Sequence, residues 1–477
     1  MNTTLKRSIR LSIAALLAVP FIASAATSSG DNTNQQNPNA YLAGNVNVPE
    51  VVQAMNKYTG MVQMPGTKTY FNYMGAVKLK TQYSQRAIAY PDKVHYFGHE
   101  KTDNGYDKGG KLDGSFDGSF IGFNTRTDLA NGSHVRSSVV LGVDTDVKDY
   151  GSWTAYGIEV QGLTVSYDNI MAGLTISNFV DPMSMSQSYV ANGGFSFLNQ
   201  LQIRYTVPMG DTTLSIAAEK ADTNFTSQSY NPNSKPYMTQ VYDAYDYFPD
   251  ITARLTYMWG AGNSVAVSGA ITQNRVAASG LCGGSPQNCH SGGSTSFADG
   301  SNGQIYNGKM GYAGAIGLRL ATFGKDAFTI NLAGMEGAAK YLGVTYAGYD
   351  GYIVDSVTGT AAAGDLKVTK INDMKLDKGY SIDAGYVHWW SKKMWSSLSL
   401  GFQKTNPHDK TGAVGNGAGG ILDGSNAKTL VVAAANLNYQ LTSHLNVAGQ
   451  YTYMHKKDYN NDIGYNQIFG IYAQFTF

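Results

Sequence analysis

Gly464-Tyr465-Asn466-Gln467-Ile468-Phe469-Gly470-Ile471-Tyr472-Ala473-Gln474-Phe475-Thr476-Phe477 closes the chain, and its reading decides the fold. From Phe469 onward the odd positions are Phe469, Ile471, Ala473, Phe475 and Phe477, and the even ones are Gly470, Tyr472, Gln474 and Thr476. Period-two alternation signals a strand, because successive side chains leave opposite faces. One face here is apolar and the other polar. A soluble sandwich tolerates such a strand, whereas a transmembrane barrel requires it, with lipid on one side and a watery lumen on the other. A terminal Phe closing the last strand is also the habit of bacterial outer-membrane barrels. The test is whether the rest of the chain repeats the pattern.

The amino terminus fits export. Lys6, Arg7 and Arg10 form a basic region, Leu11 to Ile22 an apolar core, and Ala23-Ser24-Ala25 a small-x-small cleavage site. That core is too short to span ~30 Å of hydrocarbon, so residues 1–25 read as a cleaved signal peptide. About 450 of the 477 residues remain, long for one ordinary domain. No later apolar run nears the ~20 residues of a spanning helix; one of the longest is Leu430 to Ala435. Mean hydropathy is −0.24, and half-polar barrel strands produce such an average. The 33 tyrosines suit aromatic girdles at membrane–water interfaces. A net charge of +1 gives no bias toward nucleic acid.

Residues 26–67 read as a periplasmic segment, polar and weakly apolar at first, with a short helix fitting Val48 to Thr59, capped by Asn47 with Pro49 in its first turn. Cys282 and Cys289 flank a Gly/Ser/Pro-rich loop. In an exported protein such a pair reads as a disulfide. A metal site needs further ligands, and only His290 is adjacent.

From 68 to 477 the alternation recurs as an all-β, transmembrane antiparallel barrel. Sixteen candidate strands cover roughly 69–83, 117–127, 133–144, 154–167, 170–179, 200–207, 212–220, 250–259, 263–272, 312–322, 326–336, 379–390, 394–404, 427–441, 445–455 and 465–477. An even number suits a barrel with both termini in the periplasm. Asp128 to Gly132, Asp168-Asn169, Pro208 to Asp211, Gly260 to Gly262, Phe323 to Lys325, Ser391 to Lys393 and Thr442 to His444 are short connections. Long polar loops alternate with them at 84–116, 221–249, 273–311, 337–378 and 405–426. Short periplasmic turns and long extracellular loops are the outer-membrane rhythm, and a soluble sandwich has no reason to alternate so regularly.

Parity then identifies the lumen face. Val135, Val139, Leu141 and Val143 set His134, Arg136, Ser138 and Asp144 inward. The same reading turns Arg126, Arg204, Arg254, Arg319, Lys78 and Lys80 inward, because an Arg on the lipid face near the midplane costs about 2–4 kcal/mol. Seven pore-lining basic side chains result, against fewer lumen acids: Asp144, Glu159, Glu219 and Asp383. Two roles fit the arginines. They pair with acids and stiffen the wall, or they set a positive field that favours anions and holds carboxylates in bidentate fashion.

Val180 to Asn199 follows the fifth strand. It carries Met183, Met185, Tyr189, Phe195 and Phe197 with one charge, Asp181. That is too apolar for a loop in water. Folding into the lumen as a constriction buries it; packing on a neighbouring subunit is the rival.

Met64-Pro65-Gly66-Thr67-Lys68-Thr69, followed by Tyr73-Met74-Gly75-Ala76-Val77-Lys78-Leu79, resembles the approach to the first strand of DcaP-like porins. Phe179-Val180-Asp181-Pro182 is similar to that family's third loop, and Gln200 to Pro208 to its next strand. The likeness covers about residues 62 to 220. It implies a homotrimeric sixteen-stranded channel for small anionic, often dicarboxylic or aromatic-acid, solutes, with Arg204 lining the channel. The chain departs from the family in lacking a long heptad-bearing amino-terminal coiled coil.

No nucleophile elbow, His-Glu-x-x-His or phosphate loop is present, so an enzyme is not expected, nor a cofactor or metal. Asp113 to Gly118 looks like a calcium loop, but position twelve is Asn124 rather than Glu, and a turn fits better. The expected partners are small anionic solutes and outer-membrane lipid. Three classes stay open: a passive or weakly selective porin, a substrate-specific uptake channel such as a siderophore porin, and a barrel adhesin or enzyme.

Overall fold

The computed structural model describes residues 61–85, 88–89, 94–95, 111–116, 118–144, 157–189, 194–221, 225–229, 238–244, 248–260, 262–278, 305–342, 351–358, 367–406, 427–458 and 463–477. The expected signal peptide, the helix at 48–59 and the Cys282–Cys289 pair lie outside them.

Sixteen antiparallel strands close into one barrel. They are β1 (Thr69–Ser84), β2 (Phe120–Asp128), β3 (His134–Asp144), β4 (Gly157–Tyr167), β5 (Ile170–Ile176), β6 (Asn199–Met209), β7 (Thr212–Glu219), β8 (Asp250–Trp259), β9 (Asn263–Ala278), β10 (Ile305–Ala321), β11 (Ala327–Glu336), β12 (Lys378–Trp389), β13 (Met394–Asn406), β14 (Ala427–Gln440), β15 (Leu445–Asp458) and β16 (Ile463–Thr476). Each coincides with one of the sixteen segments read from alternation, and β9, β10 and β15 run further toward the extracellular side. Neighbours in sequence are neighbours in the sheet, the low-cost topology for strands joined by short turns.

Closure joins the two ends of the chain. β1 pairs with β16 from Ala76↔Thr476 to Ser84↔Ile468. Beyond that register, Gly75 and Phe477 exchange two backbone hydrogen bonds of 2.9 and 3.0 Å. The Phe477 ring then lies over Gly75, where a Cβ would sit 2.5 Å from Cζ, so only glycine admits the ring. On its other edge β1 pairs with β2 below and with Lys111–Ser115 above. Ser119 bridges the break, its hydroxyl accepting from the Lys78 N–H at 2.9 Å.

Burial follows parity. In β16, Phe469 and Ile471 are 51% and 71% exposed, while Gly470 and Tyr472 are buried. The same division runs through Leu201 and Ile203, Leu255 and Tyr257, and Leu398 and Leu400, all exposed on the outer wall. An outward apolar belt of this kind is what a membrane barrel requires. At the short end of the barrel, Asp168 adopts a φ of 46° in the turn between β4 and β5, a left-handed conformation that Asp tolerates.

At the long end, Phe225–Ser229 and Met238–Ala244 form a hairpin. Gly351–Thr358 and Lys367–Leu376 form a second hairpin, which joins the first through a parallel pairing. The loop expected over 337–378 therefore carries two strands among its described residues.

Candidate functional site

The segment between β5 and β6 folds into the lumen and crosses it. Its root is built around Glu219, the inward residue that ends β7 and is fully buried. The Glu219 carboxylate accepts from the Ser177 hydroxyl at 2.8 and 3.0 Å, the Asn178 N–H at 2.7 Å, the Thr252 hydroxyl at 3.0 Å and the Tyr341 hydroxyl at 3.1 Å. A buried carboxylate needs that many donors to offset its lost hydration. Asn178 adds bonds to the Ser215 and Thr252 carbonyls at 3.1 and 3.3 Å. Ile176, Val180 and Phe195 form a small apolar cluster with Met185 and Phe197 against it, which explains why this loop is so apolar.

Asp181 caps a single 3-10 turn, Pro182–Ser184, by accepting from the Met183 N–H; Met183 itself is half-buried. Gly317 on β10 faces this turn, and any Cβ there would run into the Asp181 carboxylate and the Ser184 side chain. Burial pushes the Asp181 carboxyl above its ordinary range, while Arg254, the Met183 N–H, Ser184 and Arg319 pull it back.

The tip is held by the opposite wall. Ser186 donates its N–H and its hydroxyl to Asp383 on β12, both at 2.8 Å. The Gln187 carbonyl accepts from Ser397 at 3.1 Å and Asn436 at 3.3 Å. The Tyr189 N–H donates to Gln450 at 2.9 Å, and its hydroxyl donates to Asn438. Its ring stacks on Tyr472 with centroids 4.1 Å apart, and burial raises the phenol well above its usual range, with Tyr472 adding to the effect. Amide and hydroxyl side chains thus complete the hydrogen bonds of a non-strand backbone inside the barrel.

The basic residues read from parity all lie on inward positions, at different heights. Lys78 and Lys80 are on β1 and are nearly buried. Arg126 and Arg136 are registered partners beside the periplasmic turn 129–133. Arg126 pairs with Asp128 at 3.0 Å, and Arg136 meets His134 at 3.1 Å. Arg319 donates to the Gly262 carbonyl of another periplasmic turn at 3.2 Å. Among the described residues, Arg204 and Arg254 donate to the inward loop and its approach: Arg204 to the Ile176 carbonyl at 2.6 Å, Arg254 to the Val180 carbonyl. Of the expected lumen acids, Glu219 and Asp383 are fully buried and bonded to the loop. Glu159 is exposed near the extracellular end, accepting from Gln161. The side chain of Asp144 lies outside the described residues.

A second inward element was not legible in sequence. Gly337 to Leu342, at the start of the next long loop, turns into the barrel as a 3-10 segment. Tyr341 packs on Phe179 at 5.0 Å, and its hydroxyl lies 3.1 Å from Glu219 and 3.0 Å from Asp250. Lys340 reaches Asp250 at 2.6 Å. Burial raises the Tyr341 phenol far above its usual range, and the two carboxylates push the same way. The Ala338-Ala339 pair ahead of a buried Tyr-Leu was the one available signal, and it is a weak one.

No protein-family model and no curated protein matches this sequence. The architecture does find likeness. The outer-membrane channel DcaP of Acinetobacter baumannii has a TM-score of 0.60 at 14% identity, over 88% of this chain and 100% of that one. The chain has the fold of an outer-membrane channel. The anion-selective porin from Comamonas acidovorans is more distant, with a TM-score of 0.49 at 9% identity over 86% of this chain and 100% of that one. OmpT of Vibrio cholerae, as folded in vitro, follows at 0.46 and 10%, over 88% and 100%. The porin-like barrel is DcaP-like at the level of fold, a Gram-negative outer-membrane architecture.

Proposed function

We propose that this protein is a homotrimeric porin of the Gram-negative outer membrane, passing small anionic, carboxylate-bearing solutes rather than catalysing a reaction. The observation that carries the anion preference is an imbalance of accessible charge. Arg204, Arg254 and Arg319 face the lumen and stay partly exposed. Glu219 and Asp383, the inward acids of β7 and β12, are fully buried, their oxygens taken by the loop. Around the inward loop, water in the passage therefore meets guanidinium groups more than carboxylates. A narrowed lumen limits screening, whose length is ~10 Å at 0.1 M salt, and Arg suits carboxylates by its planar fork. The homotrimer rests on the resemblance of residues 62 to 220 alone.

Reversal potentials in a potassium chloride gradient test the reading. The unmodified channel is expected to prefer chloride, most at low ionic strength. Arg204→Ser with Arg254→Ser is expected to weaken that preference. Arg319→Ser removes charge without removing a hydrogen bond to the inward loop, and its smaller loss in the same direction separates the field from loop disorder. Lys392→Ser, in a periplasmic turn, serves as control. Cation preference in the unmodified channel, or full anion preference in all the arginine variants, would refute the proposal.

A further inference from the structure

The outer wall carries an unexplained row of basic side chains. Along β12 the outward residues run Ile382, Tyr380, Lys378 toward the extracellular side, and along β13 they run Leu398, Leu400, the half-buried Phe402, and Lys404. Registers place these on the same face. Tyr380 opposes Lys404, Lys404 opposes Thr429 of β14, and Thr429 opposes Lys457 of β15. His455, one outward position below Lys457, opposes Val431. At ~4.8 Å between strands, Lys404 and Lys457 are about 10 Å apart at Cα, and Lys378 lies about 8 Å from Lys404 on the diagonal.

The height of the row gives it meaning. Directly below it sit aromatic rings, Tyr380 and Phe402, 5.9 Å apart. Below them lies the outward apolar belt of Leu398, Leu400 and Leu437. Amines one step beyond these rings stand in the headgroup layer of the outer leaflet, with their alkyl stems lying on apolar surface. Among the described side chains of this patch the only acid is Glu336, which pairs with Lys378 at 3.2 Å and leaves that lysine 57% exposed. Lys404 and Lys457 form no hydrogen bond or ion pair with another described residue.

We propose that Lys378, Lys404 and Lys457, with His455 beside them, form a docking surface for phosphate-bearing lipid headgroups of the outer leaflet. Three amines spaced ~8–10 Å apart suit a headgroup with more than one phosphate. The inference needs only the barrel and its orientation, so it stands or falls separately from ion selectivity.

The test uses the full-length protein in a neutral detergent, titrated with bisphosphorylated lipid A and with the same lipid after enzymatic dephosphorylation, with bound lipid counted by native mass spectrometry. The phosphorylated form is expected to be retained selectively. Each amine near an anionic surface is worth about a fivefold change in binding. Lys378→Gln, Lys404→Gln and Lys457→Gln together should therefore weaken retention about a hundredfold. Lys392→Gln with Lys393→Gln, at the periplasmic rim, should leave it unchanged, and inorganic phosphate at equal phosphorus should not displace the lipid. Equal retention of the two lipids overturns the proposal, and this arm needs no variant to fold. So does equal retention by the triple variant, or displacement by inorganic phosphate.

Discussion

Replacing Glu219 by Ala is the sharpest test of how the lumen is built. The carboxylate collects the Ser177 hydroxyl, the Asn178 N–H, the Thr252 hydroxyl and the Tyr341 hydroxyl, all buried. Truncation leaves the Ser177, Asn178 and Thr252 donors without an acceptor, while the Tyr341 hydroxyl keeps Asp250 at 3.0 Å; at roughly 1 kcal/mol or more each, about 3 kcal/mol is lost at the loop root. The barrel ladder does not depend on this side chain, because β7 keeps its backbone pairing to β6 and β8. The loss therefore falls on two inward elements, the loop after β5 and the Gly337–Leu342 segment. A shift of that size multiplies the unseated population about a hundredfold. Expected are noisy single-channel currents of raised conductance, and chymotrypsin cleavage at Phe195 and Phe197, with normal heat-modifiable mobility on a gel. Glu219→Gln supplies the same Oε1 acceptor for Ser177, Asn178 and Thr252, and leaves Tyr341 free to donate to Asp250. It should stay near the unmodified protein in both assays. An Ala variant that remains quiet and protease-resistant would show that the tip contacts to Asp383, Ser397 and Gln450 hold the loop alone, and the root argument would be wrong.

Two further outcomes follow from the closure and the periplasmic rim. Gly75→Val places a side chain 2.5 Å from Phe477 Cζ and 2.9 Å from the Phe120 carbonyl, and the backbone oxygen cannot retreat without breaking the β1–β2 ladder; the strain is about 1–3 kcal/mol. Poor barrel assembly, seen as lost heat-modifiable mobility, is expected, and normal assembly would count against the closure geometry. At the rim, Asp326 is pushed up by burial but held below the ordinary carboxylate range by the Trp389 N–H and by His388 and Tyr386. The folded state thus binds that proton less well than the unfolded chain. Its contribution is present above the unfolded value of ~3.9 and is lost as pH falls through the folded one. Asp326→Asn should flatten the fall in thermal midpoint below pH ~4, and an identical acid slope in both proteins would remove Asp326 from the account.

The local sequence was enough for everything that depends on period two. Phe469 against Gly470, Leu201 against Gln202 and Ile251 against Thr252 each declare a face, because a strand has only two, and lipid on one of them penalises every error of parity. The short turns after β4 and β6 and the long segments between them supplied orientation for the same reason. Sequence also marked the loop after β5 as too apolar for water. What it did not contain were the partners across the lumen. Ser186 and Asp383 are separated by 197 positions, and Tyr189 and Gln450 by 261. Alternation states that Asp383 points inward, but not that a serine on an inbound loop will meet it. That meeting depends on the register of the strands and on the closure of Gly75 with Phe477. The same reason separates Arg204 and Arg254, which hold the loop, from Arg126 and Arg136 beside a periplasmic turn: parity assigns a side, whereas height in the barrel is set only once all sixteen strands are staggered around it. Gly337 to Leu342 stayed hidden because six residues are too few for any periodicity. The carboxylates of Glu219 and Asp250, brought side by side on β7 and β8, and the Phe179 ring give Tyr341 its reason to turn inward.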